Sequence, residues 1–529
     1  MKKLNNLLSW WWGESNNTDG FNELFLLVLT ISVLILSIFW RSFRRSNTSS
    51  PLPPGPFSFP IIGYLPFLTP NLHTQFTTMA RTYGPIFKFK LGSKLHVVIN
   101  TPELAKAVVR DQDEVFSNRD QHRAGLRLSY GGQDIAFSNN NPNWRKLRKI
   151  FVHEMLSNKN LEASSFFRRD EVRKTVKNVF ERIGSAVNVR EIAFSTETNV
   201  LTRTVWENTS SDKGMKTRNL GAELDAVTSN IVKIFGQVNL SDFFPSLAWF
   251  DLQGVERDMK VQGNKLDKLF TTIIEDRIES NFRRSQDEAG REGKKDFLQM
   301  LLDHRDEKDG TSLSMTQMKA ILLNVMVAGT ETTATTVEWA MTSIMYDHNI
   351  MKKVQEELVE VVGLDNMVEE SHLSKLKYLD ATIKETLRMY PVLPFLLPRS
   401  PSKSCIVGGY TIPKGCSIFL NTWSIHRDPQ YWDNPLEFNP VRFLVEKWDY
   451  RGNNLAYFPF GSGRRLCAGL PLAEKMLMFI LASLLHSFNW RLPMGEERDL
   501  TQIFGITLKK RKPLVAIPSQ RLSDVKLYM

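Results

Sequence analysis

The tightest constraint in this sequence is a ten-residue stretch, Phe460-Gly461-Ser462-Gly463-Arg464-Arg465-Leu466-Cys467-Ala468-Gly469. One cysteine follows a glycine-rich turn and two arginines, and an apolar helical pattern begins just after it. A thiol binds a metal only as the thiolate, and nearby positive charge together with a helix N-terminus favours that form. Gly461, Gly463 and Gly469 let backbone N–H groups come close to the sulfur. A solitary cysteine in a glycine-rich turn also serves as a small buried hydrophobe, so the stretch alone leaves both readings open.

At 529 residues with 42% hydrophobic side chains, the chain is long enough to bury a large core. Its three cysteines, Cys405, Cys416 and Cys467, are an odd number without C-x-x-C spacing, which argues against a disulfide framework and against a cysteine-rich zinc site. Cys405 and Cys416 flank an expected hairpin around Gly408-Gly409 and read as packing residues. The formal charge is +11, from 68 Lys and Arg against 57 Asp and Glu. Those bases are interspersed with acids and accompany no nucleic-acid-binding motif, so the charge points to an acidic redox partner and an anionic membrane surface, not to nucleic acid.

Residues 24–40 are almost wholly apolar and are followed by Arg41, Arg44 and Arg45. This predicts one transmembrane anchor with the large domain on the cytoplasmic side, since basic residues stay inside. A cleaved signal peptide would have a shorter apolar core nearer the N-terminus. Residues 1–23 would then be luminal, with Asn16-Asn17-Thr18 as an available glycosylation sequon. Residues 41–56, ending in Pro51-Leu52-Pro53-Pro54-Gly55-Pro56, predict a basic, stiff hinge, because proline fixes φ and removes donors. The remaining domain is expected to span 57–529.

Within that domain, residues 88–91 and 96–99 read as short strands around a turn at Gly92-Ser93, and helical patterns dominate from Glu103 onward. Residues 207–219 and 283–296 read as solvated loops. A long helix is predicted from Thr316 to about Asp347, and its centre, Ala328-Gly329-Thr330-Glu331-Thr332-Thr333, is poor in strong helix formers. Threonine hydroxyls there can compete for backbone carbonyls. Beyond Tyr390, prolines alternate with short β-rich runs.

Phe460, Gly463, Arg465, Cys467 and Gly469 match position for position the Phe-x-x-Gly-x-Arg-x-Cys-x-Gly haem loop of cytochrome P-450 monooxygenases. The chain resembles that family, and its plant microsomal members in particular, over nearly everything after the proline-rich hinge. The resemblance implies a mainly α fold with small β-sheets, preceded by one N-terminal transmembrane helix, and haem b ligated by Cys467. It implies that Phe460, Gly463, Arg465 and Gly469 shape the haem site and that Trp144, Arg148, Arg399 and Arg465 reach the haem propionates. Glu331 and Thr332 fall where the family has an acid and an alcohol that guide protons to dioxygen, although plant members commonly carry Asp at the first position. Glu385, Arg388 and Arg442 correspond to a buried structural triad.

Substrate contacts are expected from the loop 123–135, Met326, Val392, Leu396 and Phe504. The implied reaction is hydroxylation of a lipophilic specialised metabolite, a sesquiterpene or related terpenoid ahead of a flavonoid or other phenolic. It would use O2 and electrons passed from NADPH by an NADPH-cytochrome P-450 reductase at the endoplasmic reticulum membrane. A haem-thiolate isomerase or dehydratase, or a non-catalytic haem sensor, would keep Cys467 but give the Glu331-Thr332 pair no purpose.

Overall fold

The computed structural model describes residues 28–30, 32–33, 50–206, 216–286, 295–305, 312–445 and 448–529. The chain divides into two compact units, Met1–Pro51 and Leu52–Met529. In the first, residues 28–30 and 32–33 are helical, with Val28, Leu29 and Val33 exposed. The rest of the expected anchor, the sequon and Arg41, Arg44 and Arg45 lie outside the described residues.

The second unit is mainly α-helical, with four small sheets among the described residues. In chain order, the elements that matter here are α1 (Leu72–Tyr83), β1 (Ile86–Leu91), β2 (Lys94–Ile99), β3 (Asn118–Arg119), α2 (Arg123–Leu128), α3 (Pro142–Ile150), α4 (Ser165–Phe180), α5 (Val189–Trp206), α6 (Lys216–Phe235), α7 (Val255–Gln286), α8 (Met315–Tyr346), α9 (Lys377–Met389), β4 (Arg399–Ser400), β5 (Ser417–Leu420) and α10 (Leu470–Ser487). Helices α6 and α7 run into stretches read from sequence as loop, beginning at Lys216 and ending at Gln286.

The expected hairpin forms, with Ile86 opposite Ile99 and Leu91 opposite Lys94. Strand β2 then pairs in parallel with β5, from His96–Ser417 to Ile99–Leu420, which joins distant parts of the chain. Strands β4 and β3 complete the sheet in the order β1-β2-β5-β4-β3 and set Arg119 directly opposite Arg399. The second expected hairpin pairs Cys405–Val407 with Tyr410–Ile412 across Gly408 and Gly409, both at positive φ.

Helix α8 spans 32 residues, about 48 Å at 1.5 Å per residue. Ser314 and Gln317 close a reciprocal capping box at its start, and the Asp347 side chain caps the next helix at its end. The threonines behave as the sequence suggests: Thr330, Thr332, Thr333 and Thr336 donate to the carbonyls of Met326, Ala328, Gly329 and Thr332 at 2.7–3.0 Å. The helix nevertheless stays continuous, because these hydroxyls share the carbonyls without displacing the backbone N–H groups. Gly329 admits the close approach of α5, since a Cβ there would come within 2.7 Å of Leu201 Cδ1. Among the described helices, α10 alone is long and apolar enough to cross a membrane, and most of it is buried within the protein as a core helix.

One buried charge opposes the fold. Glu197 on α5 is 1% exposed, its Oε2 lacks a hydrogen-bond partner, and burial pushes its carboxyl up to about 8, with Arg168 acting in the other direction. The folded protein therefore keeps a proton that the unfolded chain releases near pH 4.5, so stability falls by a few kcal/mol as pH rises from there to about 8 and then levels off. Glu197→Gln, which keeps the neutral shape, should raise the denaturation midpoint at pH 7.5 and flatten the decline between pH 5 and 8 in denaturant titrations. An unchanged pH profile would show that Glu197 is not the group responsible.

Candidate active site

The cysteine loop is shaped by two glycines in left-handed conformations, Gly461 at φ 77° and Gly463 at φ 69°. A Cβ on Gly463 would overlap the Val109 carbonyl and crowd the Asp113 carboxylate. Gly469 is less constrained than the sequence suggests: it lies at φ −77° as the N-cap of α10, and a Cβ there would sit at an ordinary 3.8 Å from Cys467 Sγ. The Cys467 N–H donates to the Phe460 carbonyl at 3.0 Å, which closes the loop on itself.

The expected influences do act on the sulfur, against an opposing one. The Arg148 guanidinium and the Gly469 and Leu470 N–H groups favour the thiolate, but burial outweighs them and leaves the Cys467 thiol above its ordinary pKa. Neighbouring arginines and a helix end therefore do not suffice to ionise it, whereas a directly coordinated cation does. Cys467 still has accessible surface although protein surrounds it, as suits a group on a cavity wall. That cavity, of about 640 Å³, is also lined by Arg148, Leu466 and Ala468 and, on its outer side, by Glu370, Lys377, Asp380 and Glu474.

Beside the loop lies a cluster of four guanidinium groups. Arg148 donates to Leu466 O at 2.6 Å, and Arg399 donates to Ser462 O at 2.8 Å and Asp113 Oδ1 at 3.1 Å. Arg465 donates to Ser117 O, Ile135 O and Ser138 O and stacks over the Trp144 ring at 4.1 Å. The fourth, Arg119, donates to Ala136 O and Leu397 O. Burial and then mutual repulsion lower the basicity of Arg119 well below its usual value and that of Arg465 to about 9. Trp144 is pinned by its Nε1–H bond to Ile135 O at 3.0 Å, and Asn141 caps α3 beneath it. Arg119 belongs to no motif; only the β3–β4 register, which sets it against Arg399, reveals it.

Like charges directly opposite one another destabilise a sheet. Asp113 and Asp134 are the carboxylates that act on this cluster, and burial raises the Asp134 carboxyl above its usual range. The site thus has a deficit of negative charge that a ligand bearing two carboxylates would fill.

Between Ala320 and Met345 on α8, accessible surface remains on Asn324, Val327, Ala328, Gly329 and Thr332, and the other residues of that stretch are buried. Met326, expected to contribute there, is 0% exposed, because two residues along a helix turn it about 200° from Ala328. Glu331 is buried against Arg190 and Lys509, with Thr335 Oγ1 3.4 Å away. Neither cation was identifiable from sequence. Leu396, at φ 55°, packs against Gly461. Val392 is buried and accepts the Leu508 N–H at 2.8 Å, while Phe504 packs edge-on to Phe395 in an aromatic cluster with His73.

Glu385 and Arg388 on α9 are both 0% exposed. Arg388 makes a two-pronged bond to Glu385 at 2.7 and 2.8 Å and donates to the carbonyls of His426, Pro435 and Glu437. Arg442 reaches Glu385 Oε1 at 3.2 Å, so the three side chains meet.

An accessible cysteine on a cavity wall, with a nearby cluster of arginines that outnumbers its carboxylates, is the arrangement of a protein that holds an anionic metal macrocycle through sulfur. The cytochrome P450 family model matches residues 53–517. The chain is 36% identical over 512 residues to a flavonoid 3',5'-hydroxylase of Solanum melongena, covering 95% of this chain and 96% of that protein. It is 37% identical over 506 residues to the carnosic acid synthase of Salvia pomifera, covering 93% and 99%. A solved structure of a zebra fish cytochrome P450 with abiraterone superposes with a TM-score of 0.70 at 25% identity, covering 85% of this chain and all of that one. The chain belongs to the cytochrome P450 family and is a haem-thiolate monooxygenase of the plant type. Haem b fits the residues present: a sulfur on a cavity wall that needs a cation, and guanidinium groups that need carboxylates.

If Arg119 completes the cluster, Arg119→Gln should lose haem to an excess of apomyoglobin at least about tenfold faster than the parent, one charge-assisted hydrogen bond being worth about that factor. Equal rates would remove Arg119 from the haem site.

Proposed function

We propose that this monooxygenase hydroxylates a lipophilic plant specialised metabolite, a terpenoid of sesquiterpene size ahead of a flavonoid. In this reading Cys467 is the iron ligand, within a loop shaped by Phe460, Gly463 and Gly469. Trp144 orients the cluster of Arg119, Arg148, Arg399 and Arg465 that holds the propionates, and Glu385, Arg388 and Arg442 brace the core behind them. Haem bound through a thiolate supplies the oxygen-activating chemistry. The protein supplies position, exclusion of water and protons.

The observation that carries the substrate class is the polarity of the open face of α8. Its polar members are already committed: Asn324 bonds to Asp134 Oδ2 and Ile135 N, and the Thr332 hydroxyl donates to Ala328 O. Val327, Ala328 and Gly329 add no polar side chain. A polyphenol would leave several hydroxyls unpaired against such a wall, whereas a hydrocarbon-rich substrate leaves none. Titration with a sesquiterpene should give a type I Soret shift at micromolar concentration, and naringenin should give none. Turnover with a plant reductase and NADPH should place one atom of 18O2 in the product. A shift with naringenin alone would favour the flavonoid reading that the hydroxylase relatives suggest.

Thr332 lies on the accessible face and Glu331 follows beneath it against Arg190 and Lys509, which supports a proton route from the Lys509 side through Glu331 to Thr332. Thr332→Ala should keep NADPH consumption within about threefold of the parent while diverting most electrons to hydrogen peroxide, measured as peroxide formed per NADPH. Unchanged coupling would take Thr332 out of the route.

We place the electron donor, an NADPH-cytochrome P450 reductase, and the enzyme at the endoplasmic reticulum membrane, anchored by residues 24–40. Two exposed apolar segments support a membrane-facing surface. Gly92 N donates to Ile62 O at 3.2 Å and Ser93 N to Phe243 O at 3.0 Å, so both segments meet the β1–β2 turn. Around it Ile61 and Trp249, each 77% exposed, stand with Phe57, Phe67, Leu247 and Phe250. Ile61 is held at φ 67°, rare for a β-branched residue.

A further inference from the structure

A chain of oxidisable rings runs away from the cysteine loop. Phe460, whose carbonyl accepts the Cys467 N–H, meets Tyr450 edge-on at 5.7 Å between ring centroids. Tyr450 meets Tyr457 at 6.5 Å, and Tyr457 meets Trp448 at 6.1 Å. Trp448 lies stacked on Trp432 at 4.6 Å with an interplanar angle of 22°. Beyond Phe460 every member is a tyrosine or a tryptophan, the two aromatic side chains that give up an electron most readily. All four are buried, and Trp448 is the most accessible at 8%.

Phenylalanine would serve packing alone, without a hydroxyl that must be paired when buried. Tyr450 is paired with a base. Its Oη donates to Asp380 Oδ1 on α9 at 3.0 Å, while Lys384 Nζ donates to Asp380 Oδ2 at 2.8 Å. Burial and then the Asp380 charge raise the Tyr450 phenol well above its ordinary pKa, so the neutral ring keeps its proton and releases it only as an electron leaves. Asp380 also lines the cavity at Cys467, where a proton it receives can pass to water. The neighbouring rings are placed differently. Tyr457 Oη donates to Lys384 O at 3.1 Å, a backbone carbonyl that takes no proton. Trp432 Nε1 has no partner, and the Arg388 guanidinium over its ring at 5.1 Å opposes positive charge there. An electron vacancy that enters at Tyr450 therefore crosses Tyr457 and comes to rest on Trp448.

We propose that Tyr450 and Trp448, bridged by the Tyr457 ring, are reserve electron donors that quench an oxidised haem when no substrate is there to be hydroxylated, and that the vacancy leaves the protein at Trp448. Tyr450 passes one electron to the haem and its phenolic proton to Asp380. The neutral tyrosyl radical then takes an electron from Trp448 and recovers the proton. A small thiol in solution refills Trp448. Two such passages return the haem to its ferric state: two thiols supply both electrons and both protons and become one disulfide, and the unused oxygen atom leaves as water. The proposal rests on the reading of Cys467 as the iron ligand.

The test uses substrate-free, full-length holoenzyme mixed with a peracid, freeze-quenched and read by electron paramagnetic resonance. The parent should show a tryptophan radical whose hyperfine pattern narrows when the protein carries ring-deuterated tryptophan. Trp448→Phe should show a tyrosyl signal in its place, and Tyr450→Phe should lose both. Asp380→Asn, which keeps the ring contacts and removes the base, should also lose both, whereas Tyr457→Phe, which keeps the bridging ring, should resemble the parent. With glutathione present, peracid should bleach the Soret band faster in Tyr450→Phe and Trp448→Phe than in the parent. Peptide mapping of the treated parent, which needs no variant, should find oxidised indole at Trp448 ahead of every other tryptophan. A parent whose thiolate-bound haem responds to peracid without a protein radical, or whose oxidation maps to other tryptophans, overturns the chain. Bleaching at the parental rate in both variants overturns its protective role. A parent whose reduced carbon-monoxide complex lacks the thiolate-type spectrum overturns the reading of Cys467, and the proposal with it.

Discussion

The packing of like charge where β3 meets β4 governs the rest of this structure. Arg119 opposite Arg399, with Arg465 and Arg148 alongside, would be a poor choice if the sheet existed for its own sake. What makes it tolerable is that each guanidinium is clasped by backbone carbonyls: Ala136 and Leu397 for Arg119, Ser462 for Arg399, Leu466 for Arg148, and Ser117, Ile135 and Ser138 for Arg465. Those carbonyls come from the loops that frame the site, so the same guanidinium groups hold that frame together.

A similar dependence applies at sulfur. Burial raises the Cys467 thiol pKa despite two N–H groups and Arg148, because desolvation of a compact anion costs more than those dipoles return.

How much was legible in the sequence follows from how local each signal is. The cysteine loop, the capped long helix and the Glu385–Arg388 pair are short-range patterns, set by glycine conformations and helical spacing, and they appear where the residues put them. Arg442 was reachable because the family resemblance supplied a partner for Glu385. Arg119 was not, since nothing in a run of ordinary residues tells one arginine from another until the strand register sets it against Arg399. The same holds for Arg190 and Lys509, which reach Glu331 from α5 and the last part of the chain. Met326 is buried away from the accessible face of α8, because an all-apolar stretch does not reveal helical phase. Gly469 brings its N–H to the sulfur as expected, while Gly463 is constrained by Val109 and Asp113, which the sequence does not place beside it.

The stretch 129–138 connects these observations. Its side chain at Asp134 grips Asn324 on the open face of α8, while its carbonyls at Ile135 and Ser138 are held by Arg465, and Ile135 O also receives the Trp144 indole N–H. One short segment therefore touches the face where a substrate would lie and the cluster where an anionic cofactor would be bound, through bonds buried from water. Displacing its inner half would disturb both at once, which is reason for the fold to make that half rigid.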